Sequence, residues 1–193
     1  MDRLKTKGCL RALAFSFMLA PLLSITHVKA QIQNNNNFLQ GSIYERVGLA
    51  ENIDPYLLYS VSLVESAKAY GDAKGYVSPH PYAIRTPKGA IYPKSYEEAV
   101  TVLNKQLKRY KRIELDIGLM QINGQHFHKV DKTEDLLKPE VNIKIASDIL
   151  KAALNSDTTN YVEKVGRYHS HTKWRAQAYG KRVLAVYENI KQI

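Results

Sequence analysis

The sequence is poor in cysteine: the one cysteine, Cys9, stands just before an apolar run at residues 10–23. One thiol cannot form a disulfide within the chain, and its place before the apolar run is not that of a lipid-modified cysteine. Internal repeats and glycine-rich phosphate-binding loops are also lacking, as is any long apolar run after residue 30. These absences exclude a disulfide-stapled domain and a repeat protein, and they predict no membrane span beyond the first 30 residues.

The first 30 residues predict a secretory signal peptide. A basic start precedes the apolar run, and Val28-Lys29-Ala30 has the small-residue pattern of a cleavage site before Gln31. A retained anchor is less favoured because a bilayer span takes ~20 apolar residues. We therefore predict an exported protein with a signal peptide at 1–30, a flexible, asparagine-rich tether at 31–40 and one folded domain at 41–193.

Basic residues outnumber acidic ones, with 28 Lys and Arg against 18 Asp and Glu, a formal net charge of +10. The predicted leader accounts for +4 of this charge, which leaves +6 on the rest of the chain. The lysines are scattered, and no basic-aromatic motif typical of nucleic-acid binding occurs. Attraction to an anionic polymer such as the cell wall, or an ordinary solvated surface, accounts for the charge.

Hydrophobic periodicity and capping residues predict a mainly α-helical fold. The expected helices are 42–50, 55–71, 95–110, one starting at Pro139, one starting at Asn160, and 173–190. Prolines interrupt residues 72–94, where 82–85 and 90–92 are expected to pair as a β-hairpin across a Thr-Pro-Lys-Gly turn. The sequence therefore predicts a helical domain with one small β-hairpin.

Glu65 stands out because it lies on an apolar helical stripe. Leu58, Val61, Ser62 and Glu65 follow the spacing of one helix face, where a solvated glutamate is usually avoided. Desolvation raises the pKa of a carboxyl group, which then keeps a proton near neutral pH and suits a general acid. A structural alternative stays open, in which Glu65 pairs with a lysine or caps a neighbouring helix.

A second unusual stretch is 116–123, Asp-Ile-Gly-Leu-Met-Gln-Ile-Asn. Gly118 interrupts an apolar run, which indicates a sharp turn or a close approach of the backbone. Gln121 and Asn123 alternate with Met120 and Ile122, so an extended segment would place both amides on one side. A half-buried edge strand without a functional role is the alternative interpretation.

Together, Val64-Glu65-Ser66, the Gly-Leu-Met-Gln-Ile-Asn segment and a late Tyr168-His169-Ser170 resemble lytic transglycosylases of the SLT type in the lysozyme-like superfamily. The Asp-x-Gly-Leu-Met-Gln-Ile-Asn and Tyr-His-Ser forms look like those of members that accompany conjugation, type IV pilus and secretion machineries. The resemblance implies a goose-type lysozyme-like helical domain with the β-hairpin beside an active groove. It also implies the periplasm of a Gram-negative envelope.

The resemblance further implies the chemistry. Glu65 would protonate the glycosidic oxygen of peptidoglycan and then take a proton from the sugar's own 6-hydroxyl, which leaves 1,6-anhydromuramyl ends. The implied substrate-binding residues are Ser66, Gly118, Met120, Gln121, Asn123, Tyr168 and His169. Peptidoglycan strands, and components of a conjugation, pilus or secretion apparatus, are the expected partners. We expect no cofactor, metal or nucleic acid, and a monomer.

Three alternatives remain open from the sequence. Asp116 stands two residues before Gly118, as an aspartate does in animal-type lysozymes, so a retaining muramidase could use Glu65 and Asp116 together. The pairs His126-x-His128 and His169-x-His171 suggest a zinc wall peptidase, although residues i and i+2 diverge in helix-like sequence. A non-catalytic wall-binding module would not need a glutamate on an apolar stripe.

Overall fold

The computed structural model describes residues 38–69 and 77–192. The predicted signal peptide, residues 31–37 of the predicted tether and Gly71 lie outside these described residues. The α-helices and strands, in chain order, are α1 Ile43–Glu51, α2 Pro55–Ser66, β1 Ala67–Ala69, β2 Val77–Pro79, β3 Ile84–Thr86, β4 Gly89–Ile91, α3 Tyr96–Leu107, β5 Asp116–Ile117, β6 Ile122–Asn123, α4 Pro139–Leu154, α5 Tyr161–Gly166 and α6 Lys173–Ile190. Short 3-10 turns span Arg112–Glu114, Gly124–Lys129 and Thr133–Leu137. The predicted fold class, mainly α with a small antiparallel sheet, is confirmed.

Capping contacts confirm the predicted starts of α1, α2, α3 and α5. The Asp54 carboxylate accepts from the Tyr56 N–H at 2.8 Å, and Pro55 occupies the first helical position of α2. At α5, the Asn160 side chain accepts from the Glu163 N–H at 3.1 Å. Each contact satisfies a backbone donor that has no partner inside the helix. None of the helices in the described ranges is both long and apolar enough to cross a membrane.

The predicted end of α2 is wrong. The helix stops at Ser66, because the next residues, Ala67–Ala69, form strand β1, which pairs antiparallel with Val77–Pro79. Glu65 is therefore the penultimate residue of α2 and lies where the helix changes into a strand.

The predicted hairpin is confirmed, and it belongs to a larger sheet. Ile84 pairs with Ile91 and Thr86 with Gly89, and the full strand order is β4-β3-β5-β6. Residues 116–123 do not form one extended segment as expected. They form two short strands joined by a turn, in which Gly118 has a φ of +79° and Gln121 a φ of +46°.

The predicted tether ends earlier than residue 40. Leu39 is 3% exposed and belongs to the hydrophobic core. The Phe38 ring packs edge-on against the rings of Tyr56 and Tyr59, with centroids 5.6 and 5.5 Å away. Burial of these apolar groups ties residues 38 and 39 to α2, so the packed domain begins before residue 41.

Helix α2 lies at the centre of the helical core. It packs against α1 and α6, and its Leu58 and Val61 side chains are fully buried. Tyr179 and Val183 of α6 are buried in the same core. Full burial of one such aliphatic side chain stabilises the fold by roughly 1.5–3 kcal/mol. This packing fixes the last turn of α2 against α6 and the sheet.

Asn142 of α4 holds the turn between β5 and β6 from behind. Its side-chain N–H donates to the carbonyls of Ile117 and Leu136 at 2.9 and 2.8 Å, and its Oδ1 accepts from the Met120 N–H at 2.8 Å. The side chain is 1% exposed, so each of these contacts satisfies a buried backbone group that water cannot reach. A Cβ on Gly118 would lie 2.3 Å from the Asn142 amide nitrogen.

We predict that Gly118→Ala unfolds more easily than Gly41→Ala. Both glycines have a similar positive φ, +79° and +71°, but a Cβ at Gly41 meets nothing within 4 Å. Gly41→Ala should cost about 1 kcal/mol through backbone strain alone. Gly118→Ala should cost about 3 kcal/mol, because overpacking against Asn142 is added to the strain. Urea unfolding measures the free energy of unfolding of both variants. Equal losses would show that the close approach of residue 118 to Asn142 contributes nothing.

Candidate active site

A cavity of about 620 Å³ opens where α2, the sheet and α6 meet. It brings together side chains from segments that are far apart in the sequence. Its walls come from α2, β3, the β5–β6 hairpin, the 3-10 turn after it, α4, the α5–α6 connection and α6. The lining residues are Val64, Glu65, Arg85, Ile113, Asp116, Gln121, Ile122, Asn123, Gln125, His126, Ile149, Tyr168, His169, Tyr179 and Arg182.

Glu65 provides a carboxyl group with an unusual proton affinity. Burial raises its pKa from the ordinary 4.5 to about 7, and the negative charge of Asp116 adds to the rise. The Tyr179 hydroxyl opposes it by donating to Glu65 Oε1 at 2.6 Å, as do the positive charges of Arg85 and Arg182. Because the pKa lies near 7, protonated and ionised forms both exist at neutral pH.

Asp116 is a second carboxylate in the same cavity. It is partly buried on β5, opposite Asn123 of β6 and Arg85 of β3 in the strand register. The Asn123 amide donates to Asp116 Oδ1 at 2.8 Å. Burial raises the pKa of Asp116, while the Asn123 hydrogen bond and the charge of Arg85 oppose the rise. Two carboxyl groups whose pKa values are raised by burial therefore face one cavity.

Aromatic rings form one wall of the cavity around Tyr179. The His169 ring stacks on Tyr179 with centroids 4.9 Å apart and planes 6° from parallel, and the Tyr168 ring lies on it at 6.4 Å. The Tyr168 hydroxyl donates to the Met120 carbonyl at 2.7 Å. These contacts join the α5–α6 connection to α6, through Tyr179, and to the β5–β6 turn, through Met120.

The structure separates the predicted site residues into two groups. Glu65, Asp116, Gln121, Asn123, Tyr168 and His169 line the cavity, whereas Ser66, Gly118 and Met120 lie behind its wall. Ser66 is 2% exposed and its hydroxyl donates to the Leu119 carbonyl at 2.7 Å. Met120 is fully buried. The cavity walls therefore rest on residues that a ligand in the cavity cannot touch.

Comparison with family models decides the class of protein. Residues 43–182 match the model described as the Transglycosylase SLT domain, which covers most of the chain and every residue that lines the cavity. The chain belongs to the transglycosylase SLT family. Members are lytic transglycosylases that act on peptidoglycan, and the lysozyme-like fold agrees with the helical architecture. Neither the curated proteins nor the solved structures give a significant match.

The lining residues that were not predicted as site residues include two arginines and a tyrosine, Arg85, Arg182 and Tyr179. Tyr179 fits the apolar face of α6, so periodicity assigns it to the core, where its ring indeed lies. Its hydroxyl nevertheless reaches Glu65. Arg182 follows at i+3, a spacing that places it on the same side of the helix. A basic residue one helical turn from a core tyrosine is the sequence signal that could have indicated that this face of α6 lines a cavity.

The histidine pairs of this SLT domain lie in turns. His126 and His128 lie in the 3-10 turn Gly124–Lys129, and His169 and His171 lie in the α5–α6 connection. His126 and His169 both line the cavity described above. Within residues 38–69 and 77–192, no group of three or more His, Cys, Asp or Glu side chains is placed to hold a metal ion.

Proposed function

We propose that Glu65 is the catalytic acid, and afterwards the base, of a lytic transglycosylase that cleaves the MurNAc–GlcNAc β-1,4 bond. The supporting observation is a partly buried carboxyl group with a pKa of about 7, at the wall of the cavity and hydrogen-bonded to Tyr179. An acid with this pKa is protonated often enough to donate, and its conjugate base is strong enough to take a proton back.

The first step is protonation of the leaving oxygen. Glu65 Oε1 accepts from Tyr179, so the transferable proton is on Oε2. As the bond between C1 of MurNAc and the glycosidic oxygen breaks, this oxygen takes the proton. The carbonyl oxygen of the sugar's own acetamido group then bonds to C1 and stabilises the oxocarbenium-like centre. No second carboxylate is needed at this stage.

In the second step Glu65 takes up a new proton. Its carboxylate is stabilised by the Tyr179 donor and by the nearby charges of Arg85 and Arg182. It removes the proton from the 6-hydroxyl of the same MurNAc, and O6 attacks C1 and displaces the acetamido oxygen. The product is a 1,6-anhydromuramyl end, no water is consumed, and Glu65 is again protonated.

We assign the other predicted residues to two roles. Asn123, Tyr168 and His169 line the cavity, and we assign them to contact with the glycan. Gln121 also lines it, but its amide donates to the carbonyls of Ala83 and Gly118, so it mainly orders the turn. Ser66, Gly118 and Met120 act as positioning residues that hold the wall, because none of them lines the cavity.

Glu65→Gln should lower turnover at least a hundredfold, since the amide keeps the shape but cannot donate and recover a proton. In the wild type, kcat/KM should fall as the pH rises through about 7, where the acid form of Glu65 is lost. Release of soluble fragments from purified peptidoglycan measures both. Glu188→Gln, at an exposed position of α6, is the control and should behave as wild type. A Glu65→Gln protein with wild-type turnover would exclude the assignment.

A retaining muramidase is the second candidate, because Asp116 lines the same cavity as Glu65. In that reaction Asp116 would attack or stabilise C1, and water would be the final acceptor. Asp116 Oδ1 already accepts from Asn123, which favours an orienting role over attack. We therefore propose that the acetamido group, rather than Asp116, assists the cleavage.

Asp116→Asn separates the two reactions. We expect Asp116→Asn to lose turnover modestly, and both it and the wild type to give anhydro products. The fall of kcat/KM at alkaline pH should begin at a lower pH in Asp116→Asn than in the wild type. The shift follows because the charge of Asp116 raises the pKa of Glu65, and the amide removes that charge. Mass spectrometry of digested glycan reads the products, since an anhydro end is one water lighter than a reducing end. Reducing ends from the wild type, with turnover of Asp116→Asn reduced by orders of magnitude, would establish the muramidase instead.

We also propose that the enzyme works in the periplasm and opens the wall for a conjugation, pilus or secretion apparatus. The support is the resemblance of 116–123 and of Tyr168-His169-Ser170 to the forms in such members, together with the predicted signal peptide. A deletion strain should lose transfer or secretion, and the wild-type gene should restore it while the Glu65→Gln gene should not. Equal restoration by both genes would contradict this role.

A further inference from the structure

A second concavity, of about 500 Å³, adjoins the catalytic cavity on the side of α6. The two share His169, Tyr179 and Arg182, so a ligand can extend from one into the other. The second is completed by Trp174, Arg175 and Ala178 of α6. We name this surface, from His169 through Trp174 and Arg175 to Arg182, the cationic shelf.

Positive charge is concentrated on the shelf. Two arginines line it and no carboxylate does. Among the described residues, neither Arg175 nor Arg182 is in an ion pair, whereas Arg46 pairs with Glu140 at 3.0 Å. Each shelf guanidinium instead lies over an aromatic ring, Arg175 at 5.2 Å from Trp174 and Arg182 at 5.5 Å from Tyr179. Stacking orients both guanidinium groups while leaving their N–H donors for an anionic ligand.

Trp174 adds an apolar face to the shelf. It is the only tryptophan in the sequence and it is 67% exposed. An exposed tryptophan side chain beside a cleft is typical of a binding surface, because covering its large apolar ring with a ligand favours binding. The shelf therefore combines a flat apolar contact with two fixed cations.

The catalytic cavity and the shelf differ in the chemistry they offer. Amide and carboxylate groups that suit sugar hydroxyls and acetamido groups, such as those of Asn123 and Asp116, line the cavity. The shelf has no Asn, Gln, Asp or Glu in its lining. In peptidoglycan, the sugar whose C1 reacts also carries a lactyl group that bears a short peptide with free carboxylates. The anionic part of the substrate is therefore attached directly to the reacting sugar.

We propose that the shelf binds this peptide, with Arg175 and Arg182 taking its carboxylates and Trp174 covering its aliphatic part. The inference rests on the proposed function, and it specifies the substrate as peptide-bearing strands with free carboxylates. Arg–carboxylate contacts are charge-assisted and often bidentate, which gives both affinity and orientation. The peptide would then position the reacting MurNAc from the side opposite to the sheet residues of the cavity.

The fluorescence of Trp174 tests the proposal directly, since no other tryptophan contributes to the signal. The protein is the full chain with Glu65→Gln, which prevents turnover. One probe is the GlcNAc–MurNAc disaccharide with an L-alanyl-γ-D-glutamate peptide, and the other is the same compound with both peptide carboxylates amidated. Amidation should weaken binding about tenfold, because a hydrogen bond to a charged group contributes more than a neutral one.

Arg175→Gln in the same background should weaken binding of the free-carboxylate probe about tenfold and that of the amidated probe much less. Arg109→Gln is the matched control, because Arg109 is also exposed and also lies over a ring, 5.7 Å from Tyr110, but lines neither cavity. It should leave both affinities and their ratio unchanged.

Three results would overturn the proposal: equal binding of both probes, equal losses from Arg175→Gln and Arg109→Gln, or binding seen by calorimetry without any change in Trp174 fluorescence. None of these measurements depends on catalysis. Wall cleavage by the Glu65→Gln protein would refute the proposed function instead, so failure of the shelf and failure of the catalytic assignment give different results.

Discussion

The hydrogen bond between the Tyr179 hydroxyl and Glu65 is the contact on which the site depends. A carboxyl group on the apolar stripe of α2 is costly as an ion, and one buried donor moderates this cost without removing it. These are the two largest effects on the Glu65 pKa, which is about 7. Because Tyr179 is 2% exposed and packed in the core, the position of the Glu65 carboxyl oxygen is set by the same contacts that stabilise the fold.

A second group of contacts builds the facing wall. Asn142 satisfies three backbone groups around the β5–β6 turn, and Ser66, next to Glu65, donates to the Leu119 carbonyl in the same turn. Tyr168 reaches the Met120 carbonyl from the α5–α6 connection. The glutamate-bearing helix, α4 and the α5–α6 connection therefore all bond to one four-residue turn. Any shift of that turn changes the shape of the cavity wall that faces Glu65.

The helices can be predicted from sequence because their apolar residues recur with the period of an α-helix, between recognisable capping residues. Glu65 can be predicted because it places a carboxylate at an apolar position of that period. Tyr179 escapes prediction because a tyrosine on an apolar face fits the core pattern, and no period shows that its hydroxyl meets Glu65. Periodicity also misplaces Gln121, since alternation in 116–123 indicates a strand and cannot reveal the positive φ of two turn residues. Met120 is assigned to the groove by resemblance, and only packing shows that it is buried.

Glu65 lies at the carboxyl end of α2, one residue before the helix gives way to a strand. The peptide dipoles of a helix add up to a partial negative charge at this end, and the last turn of α2 contains no basic residue to offset it. A proton on Glu65 is therefore favoured by the direction of the chain as well as by burial. The same glutamate at the opposite end of the helix would meet a partial positive charge and ionise more readily. Chain polarity thus helps to keep this residue protonated at neutral pH.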